Sequence, residues 1–325
     1  MRMNVFKNPY TIMKKVFLAL AAILMSAAFV SAQDLATATE TYNNGASQLA
    51  EGDRAAALAS FQEALKAAEA LGEEGAEIVA NCKNVIPAVI LSMGKELYNE
   101  KDFTAAAEKF QEAVKIAKEY GNDEVELEAD PLIPASYFAA GRAAIQAKDM
   151  AAAAEHLKKA IEIDPAYSNG NAALYLGQAL NASGDVEGAK EAFNLAMANG
   201  QEANAKKQLG NIVLKEAQTA LKDGKNADVV AMIEKADEEG LISNAAAFQL
   251  AASASQKLNK TADAIKFYEK FLEADPKNKN FGAIAYTVGA LYQGQKNNAK
   301  ALEFYKKAVT AGYADAQKMV DALNK

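Results

Sequence analysis

A triplet of apolar residues, small then bulky then small with steps of four and three, recurs along this chain at intervals of 35 to 49 residues. It reads Ala57-Phe61-Ala64, Ala106-Phe110-Ala113, Ala153-Leu157-Ala160 and Ala189-Phe193-Ala196, then Val229-Ile233-Ala236, Ala264-Tyr268-Phe271 and Ala301-Tyr305-Ala308. Steps of three and four place each triplet on one face of a helix. Ahead of each lies another helical stretch with its own small residue: Gly45, Gly94, Gly141, Gly177, Ala217, Ala252 and Gly289. Two short amphipathic helices cannot bury their apolar faces alone, so units of this kind must stack on neighbours.

Residues 134–167 display one unit in full. Tyr137, Ala140, Ala144 and Ile145 fall at helical spacing, with Gly141 among them. Gly in a helix interior costs about 1 kcal/mol relative to Ala, a cost explained if a second backbone passes close by. Lys148 and Asp149 break the pattern as a turn. A second helix from about Met150 sets Ala153, Leu157, Ala160 and Ile161 on one face, and Asp164 before Pro165 ends it. Turn pairs recur as Gly52-Asp53, Lys101-Asp102, Lys148-Asp149 and Gly184-Asp185.

These units resemble the tetratricopeptide repeat, a helix–turn–helix of about 34 residues. The resemblance implies an all-α, right-handed superhelical solenoid of about seven units, roughly 38–72, 87–121, 134–167, 170–200, 203–240, 245–278 and 282–312. A capping helix at 314–324 would follow, with Ala316, Met319, Val320 and Leu323 on its apolar face. The first two intervals, 49 and 47 residues, exceed the family period and resemble long-helix variants of the kinesin-light-chain type, the second helix of unit two stopping at Gly121. Val229, Ile233 and Phe271 depart from the pattern, so units five and six are the places to look for irregular packing.

Residues 1–32 read as an export signal, with Met13 the expected start. Lys14 and Lys15 form a basic region, 16–29 an apolar core, and Val30, Ser31 and Ala32 a small-residue cleavage site. The alternative, an uncleaved anchor, would need about 20 apolar residues. No cysteine follows the apolar core, so no lipoprotein signal is read, and the expected product begins near Gln33 as a periplasmic or secreted protein without stable membrane insertion. The formal charge of −7 becomes −11 once Arg2, Lys7, Lys14 and Lys15 are removed. Such an acidic chain is a poor match for nucleic acid or anionic lipid, both of which are held by Lys and Arg.

Chemistry-bearing motifs are scarce. Cys82 is the sole cysteine, which excludes an intramolecular disulfide; it is read as a small buried residue rather than a reactive thiol. His156 is the sole histidine and is read as a helix-surface residue, not a metal ligand. The acidic run Asp123, Glu124, Glu126, Glu128 and Asp130 lacks the spacing and glycine of a calcium loop, and is read as a solvated loop. No nucleophile elbow or phosphate-cradling glycine loop is present. The expectation is a non-enzymatic protein without metal or cofactor.

In the family the first helices line a groove that binds ligands. Carried across residue by residue, that implies a protein- or peptide-binding groove at Tyr42, Leu49, Leu91, Lys95 and Tyr98, then Phe138, Arg142, Ile145, Asn171, Leu174, Gln178 and Asn181. Its distal part would be Asn211, Leu214, Gln218, Gln249, Gln256, Tyr286 and Gln293. Aromatics could anchor apolar side chains, and amides could pair with an extended peptide backbone. Only Lys95 and Arg142 resemble the basic set with which chaperone-binding members grip a chain terminus. The second reading is a glycan-binding accessory protein of envelope polysaccharide uptake. The partner's identity and the oligomeric state are not read from the sequence.

Overall fold

The structure is a computed structural model that describes residues 31–324 other than 243. The expected signal segment therefore lies outside the described residues, save for its last two positions. Two compact units divide between Ser183 and Gly184.

The first unit holds α1 (Ser31–Glu51) and α2 (Arg54–Ala70), a single 3-10 turn (Gly72–Gly75), then α3 (Ala76–Asn99) and α4 (Phe103–Tyr120). A short α5 (Asp123–Ala129) precedes α6 (Leu132–Gln146), α7 (Met150–Ile163) and α8 (Asn171–Ser183). The second unit runs from α9 (Val186–Ala196) through a π-type turn (Met197–Gln201) to α10 (Glu202–Lys222) and α11 (Asn226–Glu238). It continues with α12 (Ala245–Lys257), α13 (Thr261–Ala274), α14 (Phe281–Gly294), α15 (Asn298–Thr310) and α16 (Ala316–Leu323). All elements among the described residues are helical; α1–α2, α3–α4 and α6–α7 pair as first and second helices within the first unit, and α10–α11, α12–α13 and α14–α15 do so within the second. Within each unit the two helices of a hairpin pack on each other, and each second helix packs on the first helix of the next hairpin.

The recurrent turn pairs have a simple geometry. Gly52, Lys101, Lys148 and Gly184 adopt left-handed backbone, with φ of 92°, 69°, 62° and 92°. The following aspartate then N-caps the second helix: Asp53, Asp102, Asp149 and Asp185 accept from the backbone N–H of Ala56, Ala105, Ala152 and Gly188 at 3.0 to 3.2 Å. Helix α4 stops at Gly121, whose φ is 71°, and α7 stops at the extended Asp164 before Pro165.

At Gly45, Gly94, Gly141 and Gly289 the small residue of the first helix faces the bulky residue sixteen positions later. A Cβ added to Gly141 would lie 2.6 Å from Leu157 Cγ; at Gly94 it would lie 2.7 Å from the Phe110 ring and at Gly289 2.8 Å from Tyr305. At Gly141 the nearest carbonyl, that of Ala153, is 3.4 Å from the same point, so a side chain more than a passing backbone demands the space. Phe61, Phe110, Leu157, Phe193, Ile233 and Tyr305 are all fully buried. Val229, Ile233 and Phe271 are buried too, like their counterparts in the other units.

Three expectations are corrected. Helix α3 begins at Ala76 and runs through Pro87, which is buried in its interior, so the second hairpin starts well before residue 87. The acidic run is a helix rather than a loop: Asn122 caps α5 by accepting from the Val125 N–H at 3.2 Å, and Val125 and Ala129 are buried. His156 is half-buried, and its Nδ1 is enclosed without a hydrogen-bond partner among the described residues. Cys82, by contrast, is buried as expected, and burial together with Glu69 pushes its thiol up to about 12. The stretch Gly72–Asn99 is long and apolar enough to cross a membrane, yet half of its apolar window is buried inside the first unit. The final helix, α16, buries Ala316 and Val320 and half-buries Met319 and Leu323, the face expected of a cap.

Candidate functional site

Three registers on the first helices carry the expected groove residues other than Asn171 and Asn211, which lie six positions before the small residue. The position three before the small residue holds Tyr42, Leu91, Phe138, Leu174, Leu214, Gln249 and Tyr286. The position one after it holds Lys95, Arg142, Gln178 and Gln218. The position four after it holds Leu49, Tyr98, Ile145, Asn181, Gln256 and Gln293.

The first of these registers turns partly into the hairpin. Tyr42 and Leu91 are each 1% exposed, and Leu174 is also buried, so none of the three lines an open surface. Tyr42 packs on the Phe61 ring at 5.2 Å between centroids, and Tyr286 on Tyr305 at 5.3 Å. Burial pushes the Tyr42 hydroxyl up to about 12.

Several polar candidates are engaged by the chain itself. Glu128 on α5 meets Lys95 Nζ at 2.6 Å. Asn171 donates to the Ser168 carbonyl at 2.6 Å. Gln256 Oε1 accepts from the Tyr268 hydroxyl and Gln293 Oε1 from the Tyr305 hydroxyl, both at 2.8 Å. The last two bonds tie the helices of one hairpin together across twelve residues, so these amides brace the fold on their oxygen side. Asn211 and Gln218 stand exposed on α10, and Gln249 is half-buried on α12.

What the first unit does bring together is a cluster around Phe138. Its ring meets Tyr167 at 5.3 Å and Tyr175 at 5.8 Å, both in tilted geometry. The exposed Arg142, one turn along α6, lays its guanidinium 5.8 Å from the Phe138 centroid and 5.9 Å from that of Tyr175. Tyr98 on α3 packs on Phe103 at 5.0 Å. Burial raises the Tyr98 hydroxyl while the nearby Arg142 charge pulls it back. Burial, with Tyr98 and Asp164 close by, pushes Tyr167 up to about 12. The result is a half-buried aromatic surface from α3, α6, the α7–α8 connection and α8, with a cation at its rim. Gln178 and Asn181 lie half-buried on α8 of the same unit.

Tyr167 and Tyr175 were not among the sequence candidates. A signal for Tyr167 was present: an aromatic two residues after the Pro165 of the helix-ending Asp164-Pro165. Tyr313 follows the last second helix in the same way, and packs on Tyr286 at 5.2 Å.

Comparison with known proteins places the fold. Tetratricopeptide repeat models match residues 91–168, 144–212 and 245–278. No curated protein matches the chain. Among solved structures, similar ones include MamA from Desulfovibrio magneticus RS-1, at 15% identity over 56% of this chain and 96% of that one, with a TM-score of 0.30. YrrB, described as a TPR protein with an unusual peptide-binding site, is 21% identical over 54% of this chain and 84% of that one, with a TM-score of 0.31. PilF of Pseudomonas aeruginosa is 17% identical over 58% and 88% of the two chains, with a TM-score of 0.28. The chain thus carries tetratricopeptide repeats, matched over residues 91–212 and 245–278 of an all-helical fold.

Proposed function

We propose that this protein is a non-enzymatic scaffold that binds a protein or peptide partner on the first-helix face of its first unit, and that it works in the cell envelope. The observation that carries the binding site is the cluster of Tyr98, Phe138, Tyr167 and Tyr175 under an exposed arginine. Half-buried aromatics offer a large apolar contact at low entropic cost, and Tyr and Arg are enriched among the residues that dominate binding energy. Phe138 is held by Tyr167 and Tyr175, Tyr98 by Phe103, and Tyr98, Phe138 and Tyr167 pack on the core behind them, so the surface is preorganised.

Export rests on the basic pair, apolar core and small-residue motif within residues 1–32. Cell fractionation with N-terminal sequencing tests it: a periplasmic or secreted product beginning at Gln33 supports it, and an intact cytoplasmic chain overturns it. Binding is tested by selecting the purified chain against a random dodecapeptide display library, with an oligosaccharide array alongside. Enriched peptides that lose affinity on Phe138→Ala support the reading. Saccharide binding without peptide binding, or peptides indifferent to Tyr98→Ala and Phe138→Ala together, would overturn it.

A further inference from the structure

Resting on that reading, the structure assigns a chemistry to the segment bound: we infer that it carries an internal Asp or Glu beside a flat apolar or aromatic side chain, the carboxylate meeting Arg142 and the ring lying against Phe138.

The argument is one of charge. Of the two cations expected on this face, Lys95 is already neutralised by Glu128 at 2.6 Å. Arg142 is different: among the described residues no carboxylate lies within ion-pair distance of it, and its recorded neighbours are the Phe138 and Tyr175 rings. The other arginine among the described residues, Arg54, is by contrast paired with Glu96 at 3.0 Å. Exposed and within 6 Å of two ring centroids, the guanidinium keeps N–H donors available, and such a group can grip a carboxylate with two parallel hydrogen bonds. The planar fork of the guanidinium is itself preorganised, so less freedom is lost for each hydrogen bond formed.

An internal side chain fits better than a chain terminus. A terminal carboxylate held in a groove draws on several donors at once. Here one of the two cations is spent on Glu128, and the Asn171 amide is already donating to Ser168. A single free guanidinium with an apolar surface at its foot matches one carboxylate flanked by one apolar group.

The test uses synthetic peptides made from the enriched dodecapeptides, amidated at the C-terminus, and fluorescence anisotropy with the full chain. Replacing the acidic residue by its amide, or Arg142 by Gln, is expected to weaken binding roughly tenfold, the scale of a charge-assisted hydrogen bond. Combining the two should cost little more than either alone. Binding to the unmodified chain should weaken as salt rises, and binding to Arg142→Gln should not. Arg142→Lys keeps the charge but loses the paired geometry, and should fall between. Arg142 is exposed, so circular dichroism should show its variants folded. Enriched peptides without acidic residues, or Arg142→Gln binding as tightly as the parent, would overturn the inference while leaving the binding site intact. Loss of binding on amidation of the C-terminus would assign the carboxylate to the chain terminus and overturn it as well. Failure of the scaffold reading itself looks different: binding would then be indifferent to Phe138→Ala.

Discussion

Replacing Gly141 with alanine puts the packing account at risk, because two effects of known size oppose each other there. The new Cβ would sit 2.6 Å from Leu157 Cγ and 2.9 Å from its Cδ2, about 1 Å inside ordinary carbon contact. Leu157 is fully buried, and the clash is at its branch point rather than at a free end, so it cannot swing aside. Overpacking of this kind costs about 1 to 3 kcal/mol. Alanine returns about 1 kcal/mol of helix propensity. The net expectation is a loss of about 1 kcal/mol. Gly294, also helical, has nothing within 4 Å of an added Cβ, so the same change there should be neutral or stabilising by up to about 1 kcal/mol. Equilibrium urea unfolding followed by far-ultraviolet circular dichroism reads both. Leu157→Ala alone should cost about 2 to 5 kcal/mol, and the double variant less than the sum, since the shortened side chain admits the new methyl. If Gly141→Ala stabilises as much as Gly294→Ala, the glycine does not make room for Leu157 and the reasoning fails.

Three further outcomes are expected. Lys148 sits at φ 62°, where a side chain costs about 1 to 2 kcal/mol, so Lys148→Gly should raise the urea midpoint, and a lowered one would contradict the turn geometry. The Ser255 hydroxyl is buried with no hydrogen-bond partner among the described residues, so Ser255→Ala should be neutral or stabilise by about 1 kcal/mol; a clear loss would reveal a missed bond. In alkali, Cys82 is held up to about 12 against an ordinary value near 9.0, so the fold favours the protonated thiol; Tyr42 and Tyr167, held at about 12 against 10.0, behave alike. Stability from these groups is fully present below pH 9 and is lost as pH rises toward 12. Cys82→Ala should delay the start of that loss to about pH 10, and an unchanged profile would show that the thiol does not titrate with unfolding.

The repeat phase, the turns and the hairpin core could all be read from residue types, because each rests on contacts within about thirty residues of chain. Gly141 facing Leu157 and Asp149 capping α7 are local events that leave local marks. The direction of the groove left none. Tyr42 and Leu91 lie in the same register as Phe138, and helical spacing cannot tell which side of that register the neighbouring helix will cover. Gln256 and Gln293 looked free because their tyrosine partners lie twelve residues on, across a turn. Helix α5 was missed because seven residues with four carboxylates show no clear apolar stripe, although Val125 and Ala129 are one turn apart. Pro87 misled for a related reason: proline usually opens or breaks a helix, but here Ile86, Pro87 and Ala88 are buried together and α3 passes through them.

The central claim is best tested by hydrogen–deuterium exchange on the intact chain, with and without an enriched peptide. The account predicts slowed exchange in α6 around Phe138 and Arg142, in the connection carrying Tyr167, and at the end of α3 near Tyr98. Slowing confined to the second unit, or to the outer face of the second helices, would contradict it.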